Sequence, residues 1–391
     1  MPDVIPVTAN LYRADKALFH ADRLRMMQDN RQPYPVHVEV VLSDLCNQDC
    51  SFCAYRLEGY SSNELFNDPL ATVPRNPNRM LPADKVMQLL DDCQAMGVKA
   101  IQLTGGGEPT LHPAFDQVAS GVLDRGMSLA LVTNGTMLHR PTEWLTKSLG
   151  TSRFALLARA SWVRVSLDAA FAENYTSIRR VHPNTFEHVL QNLRLFVAEV
   201  ARQSTKCRVG FGFVVTLENH HELAPAIDLA EQLGVDNIRI SAAFTPGGFR
   251  YHEAHASAVH RTIAQARSAP RREGFTIYDN FGDRLEDLEE KRPDYDRCPI
   301  MQLQTYVAGD GNVYTCCMNA YNRRGQIGSF LEDGFKALWD SQHKQELFAG
   351  FHAKGCPACM YNPKNRLMNG ALDGERVPDA VGPAPEHSEF V

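Results

Sequence analysis

A repeating alternation of short apolar strands and amphipathic helices constrains the fold of this chain most strongly. Between residues 36 and 245 the pattern predicts six strands, at 36–43, 100–104, 127–133, 162–167, 209–216 and 237–241. Helices with apolar residues at helical spacing lie between them, and glycines such as Gly97 and Gly126 mark helix ends. Strands that alternate with helices pair in parallel through right-handed crossovers. The sequence therefore predicts an α/β fold, as an open partial barrel or a doubly wound sheet.

Polar residues directly after these strands favour the barrel. They are Cys46, Cys50 and Cys53 after the first strand, Thr104–Pro109 after the second, Thr133–Gly135 after the third, Ser166 and Asp168 at the fourth, and Thr216 and Asn219 after the fifth. Barrel enzymes keep their active sites at the C-terminal ends of the strands. Six units are fewer than the eight of a closed barrel, so we expect a partial (β/α)6 TIM-like barrel.

The ten cysteines of the 391-residue chain need an explanation. No apolar run reaches the roughly 20 residues of a membrane helix, and the N-terminus has no signal-peptide pattern. These features predict a cytoplasmic protein, in which structural disulfides are rare. The net charge of −6 does not favour a broad nucleic-acid surface, although it leaves a small nucleotide substrate open.

Three of the cysteines form a tight group, Cys46-x3-Cys50-x2-Cys53, directly after the first strand. Three thiolates in one loop suit three irons of a 4Fe–4S cluster and leave the fourth iron open. A zinc site is a second reading, although zinc usually takes four ligands. Buried, unreactive thiols are the third. The spacing favours the iron–sulfur cluster.

These motifs resemble those of the radical S-adenosylmethionine (SAM) enzymes over about residues 36–245. The three cysteines resemble the family's cluster signature, and Gly106-Gly107-Glu108-Pro109 resembles its motif for the methionyl amino group. The resemblance implies that Ser166 and Arg179 help to hold the methionyl carboxylate. Asn134 and Asn219 are candidates for adenosine contacts, with an ordinary turn role as the alternative for each. Asp168 is expected to cap a helix or to brace the site.

A second cysteine constellation lies near the C-terminus. Cys298, Cys316, Cys356 and Cys359 supply four thiolates, enough for a complete 4Fe–4S cluster or a zinc site. Their spacing resembles the SPASM and twitch domains of radical SAM enzymes, which carry auxiliary clusters. No cysteine follows Cys359, so the shorter twitch form, with one auxiliary 4Fe–4S cluster, fits better.

Cys317 is left over from this set, because the spacing from Gly311 favours Cys316 as the ligand. A spare thiol near a radical site is a candidate hydrogen-atom donor, which makes Cys317 the one candidate catalytic residue. A buried thiol with no role is the alternative. Cys93 and Cys207 are expected to have no catalytic role.

The predicted organisation has five parts. They are an N-terminal helical extension (1–35, with one helix over 11–27), the barrel (36–245), a helical linker (246–290), a small C-terminal α+β iron–sulfur domain (291–366) and a loose tail (367–391). Residues 56–82 have no clear periodicity and are expected to form a long loop, either a lid or a disordered insertion. Asp310-Gly311 predicts a hairpin turn in the C-terminal domain.

The predicted function is reductive cleavage of SAM to a 5′-deoxyadenosyl radical that abstracts hydrogen from a substrate. A fully ligated auxiliary cluster suits electron transfer, which points to dehydrogenation or epimerisation. The expected substrate is a small molecule, sugar or nucleotide derivative, and the expected electron donor is a flavodoxin or ferredoxin. A peptide-modifying maturase is one alternative, and a non-catalytic zinc or iron–sulfur scaffold is another.

Overall fold

A computed structural model describes residues 11–57, 64–66, 76–290, 292–377 and 383–391. The centre is a curved sheet of parallel strands in chain order, flanked by helices. Its strands are β1 (His37–Val41), β2 (Ala100–Thr104), β3 (Ser128–Thr133), β4 (Trp162–Ser166), β5 (Arg208–Val215), β6 (Asn237–Ala242) and β7 (Thr276–Asn280). The α/β class and the partial barrel predicted from sequence are confirmed.

One helix precedes β1, and the others follow the strands. The helices are α1 (Ala21–Gln28), α2 (Ala83–Ala95), α3 (Phe115–Asp124), α4 (Glu143–Ser148), α5 (Arg153–Leu157), α6 (Ala172–Arg179), α7 (Thr185–Gln203), α8 (Leu223–Gln232), α9 (Phe249–Ser268) and α10 (Phe281–Glu290). The longest amphipathic helix of the predicted barrel, α7, buries Val189, Leu193 and Phe196. Burial of each such side chain contributes roughly 1.5–3 kcal/mol.

Strand β5 illustrates how alternation divides the core from the barrel interior. Phe211 and Phe213 are fully buried in the main hydrophobic core. The alternate positions, which face the lumen, include Gly210 and Gly212. At these two glycines, β5 therefore projects no side chain into the barrel lumen.

The C-terminal residues extend the same sheet. Strands β8 (Gln304–Val307), β9 (Asn312–Tyr314) and β10 (Gln326–Ser329) follow the short helix α11 (Ile300–Leu303), and α12 (Phe335–Asp340), α13 (Gln342–Ala349) and α14 (Asn362–Leu372) follow them. The predicted hairpin is present, because β8 and β9 pair antiparallel. Strand β8 also pairs in parallel with β1, so the C-terminal region joins the barrel through backbone hydrogen bonds.

Three local expectations differ from the structure. The predicted linker, 246–290, contains β7, which pairs with β6 and adds a seventh parallel strand. Its short run Phe275–Tyr278 lies between charged segments, so sequence periodicity gave too little signal. The predicted N-terminal helix is broken at His20 into a 3-10 turn (Ala14–Phe19) and α1.

The C-terminal tail is packed rather than loose in its described part. Phe390 is 7% exposed and contacts the rings of His37 and Trp162, with centroid separations of 5.4 and 5.5 Å. Lys16 donates a hydrogen bond of 2.7 Å to the carbonyl of His387. The proline and acidic content predicted disorder, but a few apolar residues suffice to anchor the segment. Within the predicted loop, residues 58–63 and 67–75 lie outside the described residues, so the lid expectation stays a prediction.

Among the described residues, no helix combines the length and apolar character needed to cross a bilayer.

Candidate active site

The loop after β1 brings Cys46, Cys50 and Cys53 to a cavity of about 340 Å³ at the C-terminal ends of the strands. Burial raises the pKa of Cys46 and of Cys53 to about 12, and the neighbouring thiols add to both shifts. Metal ligation requires thiolates and overcomes such a penalty by supplying positive charge. Three clustered thiols beside an open cavity fit a cluster with one free coordination position.

Arg179 from α6 forms the charged wall of this cavity. It forms a buried ion pair with Asp168, and its Nη1 lies 2.8 Å from Gln48 Oε1 and 3.5 Å from Cys50 Sγ. Burial alone would lower the pKa of Arg179, but Cys50 and Asp168 raise it above its ordinary value. Its Nε is buried, and no hydrogen-bond partner for it lies in the part of the chain that the structure describes. That orphan donor fits the carboxylate that the sequence resemblance assigns to Arg179.

Asp168 braces the site, which is one of the two roles expected from the sequence. It adopts a left-handed conformation with φ of 60° and accepts a 2.6 Å hydrogen bond from the Val214 backbone. The carboxylate therefore joins β4, β5 and Arg179. Ser166, the last residue of β4 and two positions before Asp168, lines the cavity, and its carbonyl accepts a 2.9 Å hydrogen bond from Arg179.

Gly106, Gly107 and Glu108 all line the cavity. A Cβ on Gly107 would lie 2.1 Å from the Leu45 carbonyl oxygen, so this position requires glycine to pack against the cysteine loop. Glu108 is 2% exposed and accepts hydrogen bonds of 2.6 Å from Thr133 Oγ1 and 2.7 Å from the Asn134 backbone. It joins β2 to β3 while its carboxylate borders the cavity.

The two asparagines differ. Asn134 lines the cavity, but its Oδ1 caps a turn by accepting from the Thr136 backbone at 3.0 Å. Asn219 is fully buried and does not line this cavity; its amide bonds Thr216, Asp168 and Val214 backbone groups at 2.7–2.9 Å. The geometry favours the turn alternative for Asn219.

Sequence reasoning missed Asn76 and Gln48. Asn76 lines the cavity and donates a 3.0 Å hydrogen bond to the Gly106 carbonyl, and its buried Oδ1 has no hydrogen-bond partner within the described ranges. It follows an aperiodic stretch that carries no motif, so no local signal pointed to it. Gln48 lies inside the cysteine motif and orients Arg179, and its position there was the available signal.

The four C-terminal thiols also come together. Cys298, Cys316, Cys356 and Cys359 line one small void, and Cys317 is absent from its lining. In the part of the chain that the structure describes, no three Cys, His, Asp or Glu side chains converge closely enough for a single metal ion. Four thiols that line one void fit the four-thiolate site that the sequence predicts.

Cys317 faces the barrel lumen instead. Its Sγ lies 3.0 Å from Tyr361 Oη and 3.3 Å from Met360 Sδ. Burial raises the pKa of its thiol well above the ordinary value. The thiol lines a second cavity, of about 540 Å³, inside the barrel. This lumen cavity adjoins the cavity of the three cysteines, since Tyr55, Thr104, Arg239, Arg284 and Met360 line both.

Sequence profiles match both cysteine regions. The profile of the Radical SAM superfamily matches residues 40–230, and that of SPASM, an iron–sulfur cluster-binding domain, matches residues 298–360. The chain belongs to the radical SAM superfamily and carries a SPASM-type C-terminal domain. It is an enzyme whose cofactors are a 4Fe–4S cluster, SAM and auxiliary iron–sulfur.

Individual relatives are distant. The chain is 24% identical over 204 residues to a probable GTP 3′,8-cyclase of Saccharolobus islandicus. The aligned region covers 52% of this chain and 55% of the cyclase. It is 27% identical over 193 residues to the AdoMet-dependent heme synthase of Methanosarcina barkeri, which covers 48% and 45%. The matches thus span about half the length of these curated relatives.

The fold resembles that of Streptococcus suis SuiB, solved with its precursor peptide SuiA. The TM-score is 0.56 at 13% identity, over 83% of this chain and 68% of SuiB. At this identity the likeness concerns the fold.

Proposed function

We propose that this enzyme abstracts a hydrogen atom from a small molecule held in the barrel lumen and passes an electron between the resulting radical and an auxiliary 4Fe–4S cluster. The net outcome is dehydrogenation or epimerisation of a small molecule, sugar or nucleotide derivative. The cluster and SAM, when bound, supply a 5′-deoxyadenosyl radical. A flavodoxin or ferredoxin is the proposed electron donor.

The residues proposed to hold these groups follow from the two cavities. Cys46, Cys50 and Cys53 bind the first cluster, and the orphan Nε of Arg179 faces the methionyl carboxylate beside Ser166. Gly106, Gly107 and Glu108 border the methionyl amino group. Asn134, which lines the cavity, would contact the adenosine in addition to its turn role, whereas Asn219 would act indirectly by holding the Asp168 loop.

One observation carries the proposal: the lumen lies between the two thiol sets. Its wall includes Cys317 and Tyr361, while the adjacent Cys316 belongs to the four-thiol void. The Tyr361 backbone also donates a 3.3 Å hydrogen bond to Cys359 Sγ. A substrate in the lumen would touch Cys317, which is covalently joined to Cys316, and Tyr361, which is hydrogen-bonded to Cys359. These are two of the four proposed auxiliary ligands, Cys298, Cys316, Cys356 and Cys359, and the two links support electron transfer.

Cys317 distinguishes the two outcomes. Its thiol lines the lumen and is outside the four-thiol set, so it is the group we propose to return a hydrogen atom in an epimerisation. The thiyl radical left on Cys317 would then regain one electron from the auxiliary cluster and one proton from solvent. Cys317→Ala should abolish epimerisation but leave dehydrogenation. A product analysis by mass spectrometry and chiral chromatography separates these results.

A peptide substrate is the second candidate, because the fold resembles that of SuiB. Tyr12, His387 and Phe390 line the lumen cavity, so segments near both ends of the described chain cover one end of it. This enclosure favours a small-molecule substrate. Family membership leaves the scaffold alternative without support.

Anaerobic reconstitution tests the proposal. We expect about eight irons per chain, four in each of two clusters, and 5′-deoxyadenosine release from SAM under a strong reductant. A deuterated substrate should transfer its label to 5′-deoxyadenosine. Two zinc ions with no cleavage of SAM would overturn the proposal, and about four irons would remove one of the two cluster assignments.

A further inference from the structure

The lumen cavity contains an arginine cluster that the radical chemistry does not require. Arg164 on β4, Arg239 on β6 and Arg284 on α10 all line this cavity. We name these three side chains the arginine cradle. Burial, followed by the charges of Arg164 and Arg284, lowers the pKa of Arg239 to about 9, so the three guanidinium groups repel one another.

The arginine cradle has few carboxylates close enough to form ion pairs. In the described part of the chain, neither Arg164 nor Arg239 has a carboxylate within 4 Å; Arg284 alone has one, Asp287 at 3.4 Å. Arg239 Nε is buried and has no hydrogen-bond partner among the described residues. A buried guanidinium left without a counter-charge carries a large desolvation cost, which a folded protein keeps where a ligand supplies the charge.

The other acidic groups of the lumen do not fill this role. Glu39 on β1 is held by the amides of Gln102 and Gln304; it interacts electrostatically with Arg164 but forms no ion pair with it among the described contacts. Asp283 interacts electrostatically with Arg284 and Arg239 but forms no ion pair with either among the described contacts. Tyr12 accepts a 3.2 Å hydrogen bond from Arg164, and its ring lies 5.0 Å from the Arg239 guanidinium, so it positions both without neutralising them.

Space for a ligand lies between the two arginines. Strand β5 runs between β4 and β6, and its lumen-facing positions there are Gly210 and Gly212. A Cβ on Gly212 would contact Arg164 Cδ at 3.6 Å, so any side chain would project into the space beside the guanidinium. Glycine at both positions keeps β5 from placing a side chain of its own in the cradle, and the Asn237 side chain lies beside Gly210, where a Cβ would meet its Oδ1 at 2.9 Å.

We infer that the arginine cradle binds an oxyanion of the substrate, a phosphate or carboxylate group, and so directs the rest of the molecule towards the cysteine cavity. Guanidinium groups bind both kinds of oxyanion through paired N–H donors. The inference rests on the proposed function, because it assigns the substrate class of that same lumen. Arg239 and Arg284 line both cavities, so the oxyanion would lie beside the reacting end.

Anion-dependent stability of the reconstituted holoenzyme tests this. The thermal midpoint is measured against rising inorganic phosphate, and separately acetate, at ionic strength held constant with sodium chloride. A ligand that binds only the folded state raises the midpoint in a saturable way. We expect such a rise for the wild type, and at least a tenfold weaker apparent affinity in Arg239→Gln and in Arg164→Gln. Arg202→Gln, on the exposed face of α7, should match the wild type.

The outcomes separate the possibilities. A response to phosphate alone assigns a phosphorylated substrate, and a response to acetate a carboxylate. Without added anion, Arg239→Gln should melt no lower than the wild type, because the change removes an uncompensated buried charge. Equal anion responses in the wild type and both cradle variants, or no wild-type response, would overturn the inference. Loss of SAM cleavage in the wild type, with the anion response intact, would instead refute only the proposed function.

Discussion

The two thiol sets of this protein differ in the space beside their sulfur atoms and in the charge of the nearby hydrogen-bond donors. Three thiols of the β1 loop border a cavity of about 340 Å³, and a guanidinium, Arg179, lies 3.5 Å from Cys50 Sγ. The four C-terminal thiols surround a small void and receive neutral amide donors, such as Asn319 at 3.7 Å from Cys356 Sγ. Metal sites that do chemistry keep an open position, whereas structural or electron-transfer sites are closed. The first set therefore suits SAM binding and the second suits electron transfer.

The largest effect should come from the open set. Cys50→Ala removes one of the three proposed cluster ligands, and we expect cleavage of SAM to fall to background. Release of 5′-deoxyadenosine under dithionite, followed by chromatography, measures this. Cys207→Ala, a buried thiol outside both sets, is the control and should cleave normally. Cleavage by Cys50→Ala at the wild-type rate would show that the open set was misassigned.

The closed set should behave differently. Cys356→Ala should lower the iron content from about eight to about four per chain and stop substrate turnover. Cleavage of SAM should continue in part, because the open set is intact. Iron analysis and parallel assays of 5′-deoxyadenosine and product check this. Complete loss of SAM cleavage in a normally folded protein would contradict the assignment of SAM cleavage to the open set and electron transfer to the closed set.

Arg179 tests the charged wall of the open site. Arg179→Gln leaves Asp168 buried without its partner, so we expect a loss of about 3–5 kcal/mol in unfolding free energy. The affinity for SAM should weaken on the order of 10- to 100-fold, because one charge-assisted hydrogen bond is lost. Urea unfolding and equilibrium SAM binding measure the two effects.

A double variant separates these two effects. Asp168→Asn in the Arg179→Gln background should restore much of the stability but not the SAM affinity. Arg180→Gln, at the neighbouring exposed arginine, is the control and should leave both unchanged. Recovery of SAM affinity in the double variant would mean that Arg179 acts only through the fold.

Glu39 in the lumen between the two sets should make stability pH-dependent. Burial raises its pKa to about 7, despite the opposing effects of Lys364 and the Gln304 amide. The folded state therefore holds this proton more tightly than the unfolded state does, so its contribution is lost as pH rises from about 4.5 to about 7. At about 1.4 kcal/mol per pKa unit the total is about 3 kcal/mol.

Urea unfolding at pH 5.5 and pH 8 measures this contribution. Wild-type stability should fall over that interval more than that of Glu39→Gln, which cannot titrate there. Glu187→Gln, on the exposed face of α7, should follow the wild type. Identical pH slopes for the wild type and Glu39→Gln would be inconsistent with a carboxyl titrating in the lumen.

The smallest effect should come from the amides of the closed set. Asn319→Ala removes an N–H donor to Cys356 Sγ, and a hydrogen bond of about 1 kcal/mol corresponds to on the order of 40 mV for one electron. The auxiliary potential should fall by that amount, while the potential of the other cluster stays fixed. Redox titration followed by electron paramagnetic resonance separates the two. Asn369→Ala, which bonds Arg297 rather than a thiol, is the control.

Much of the fold was readable from local pattern. All six predicted parallel strands are present, because each combines β-branched or apolar residues with a clear end signal. The seventh, Thr276–Asn280, was missed because five residues beside charged segments give little periodic signal. The packed C-terminal segment was missed because Phe390 is anchored by His37 and Trp162, contacts that exist only after folding.

The sequence by itself indicated the radical SAM class, because the spacing of the three cysteines and the glycine–glutamate turn are each local properties of one loop. Tertiary structure decided what those groups face. Only the folded barrel separates Cys317 from Cys316 and gathers Arg164, Arg239 and Arg284 around one lumen. These residues are far apart along the chain, and none has a motif of its own. Their proximity arises from strand register and helix packing, which depend on long-range contacts and not on local pattern.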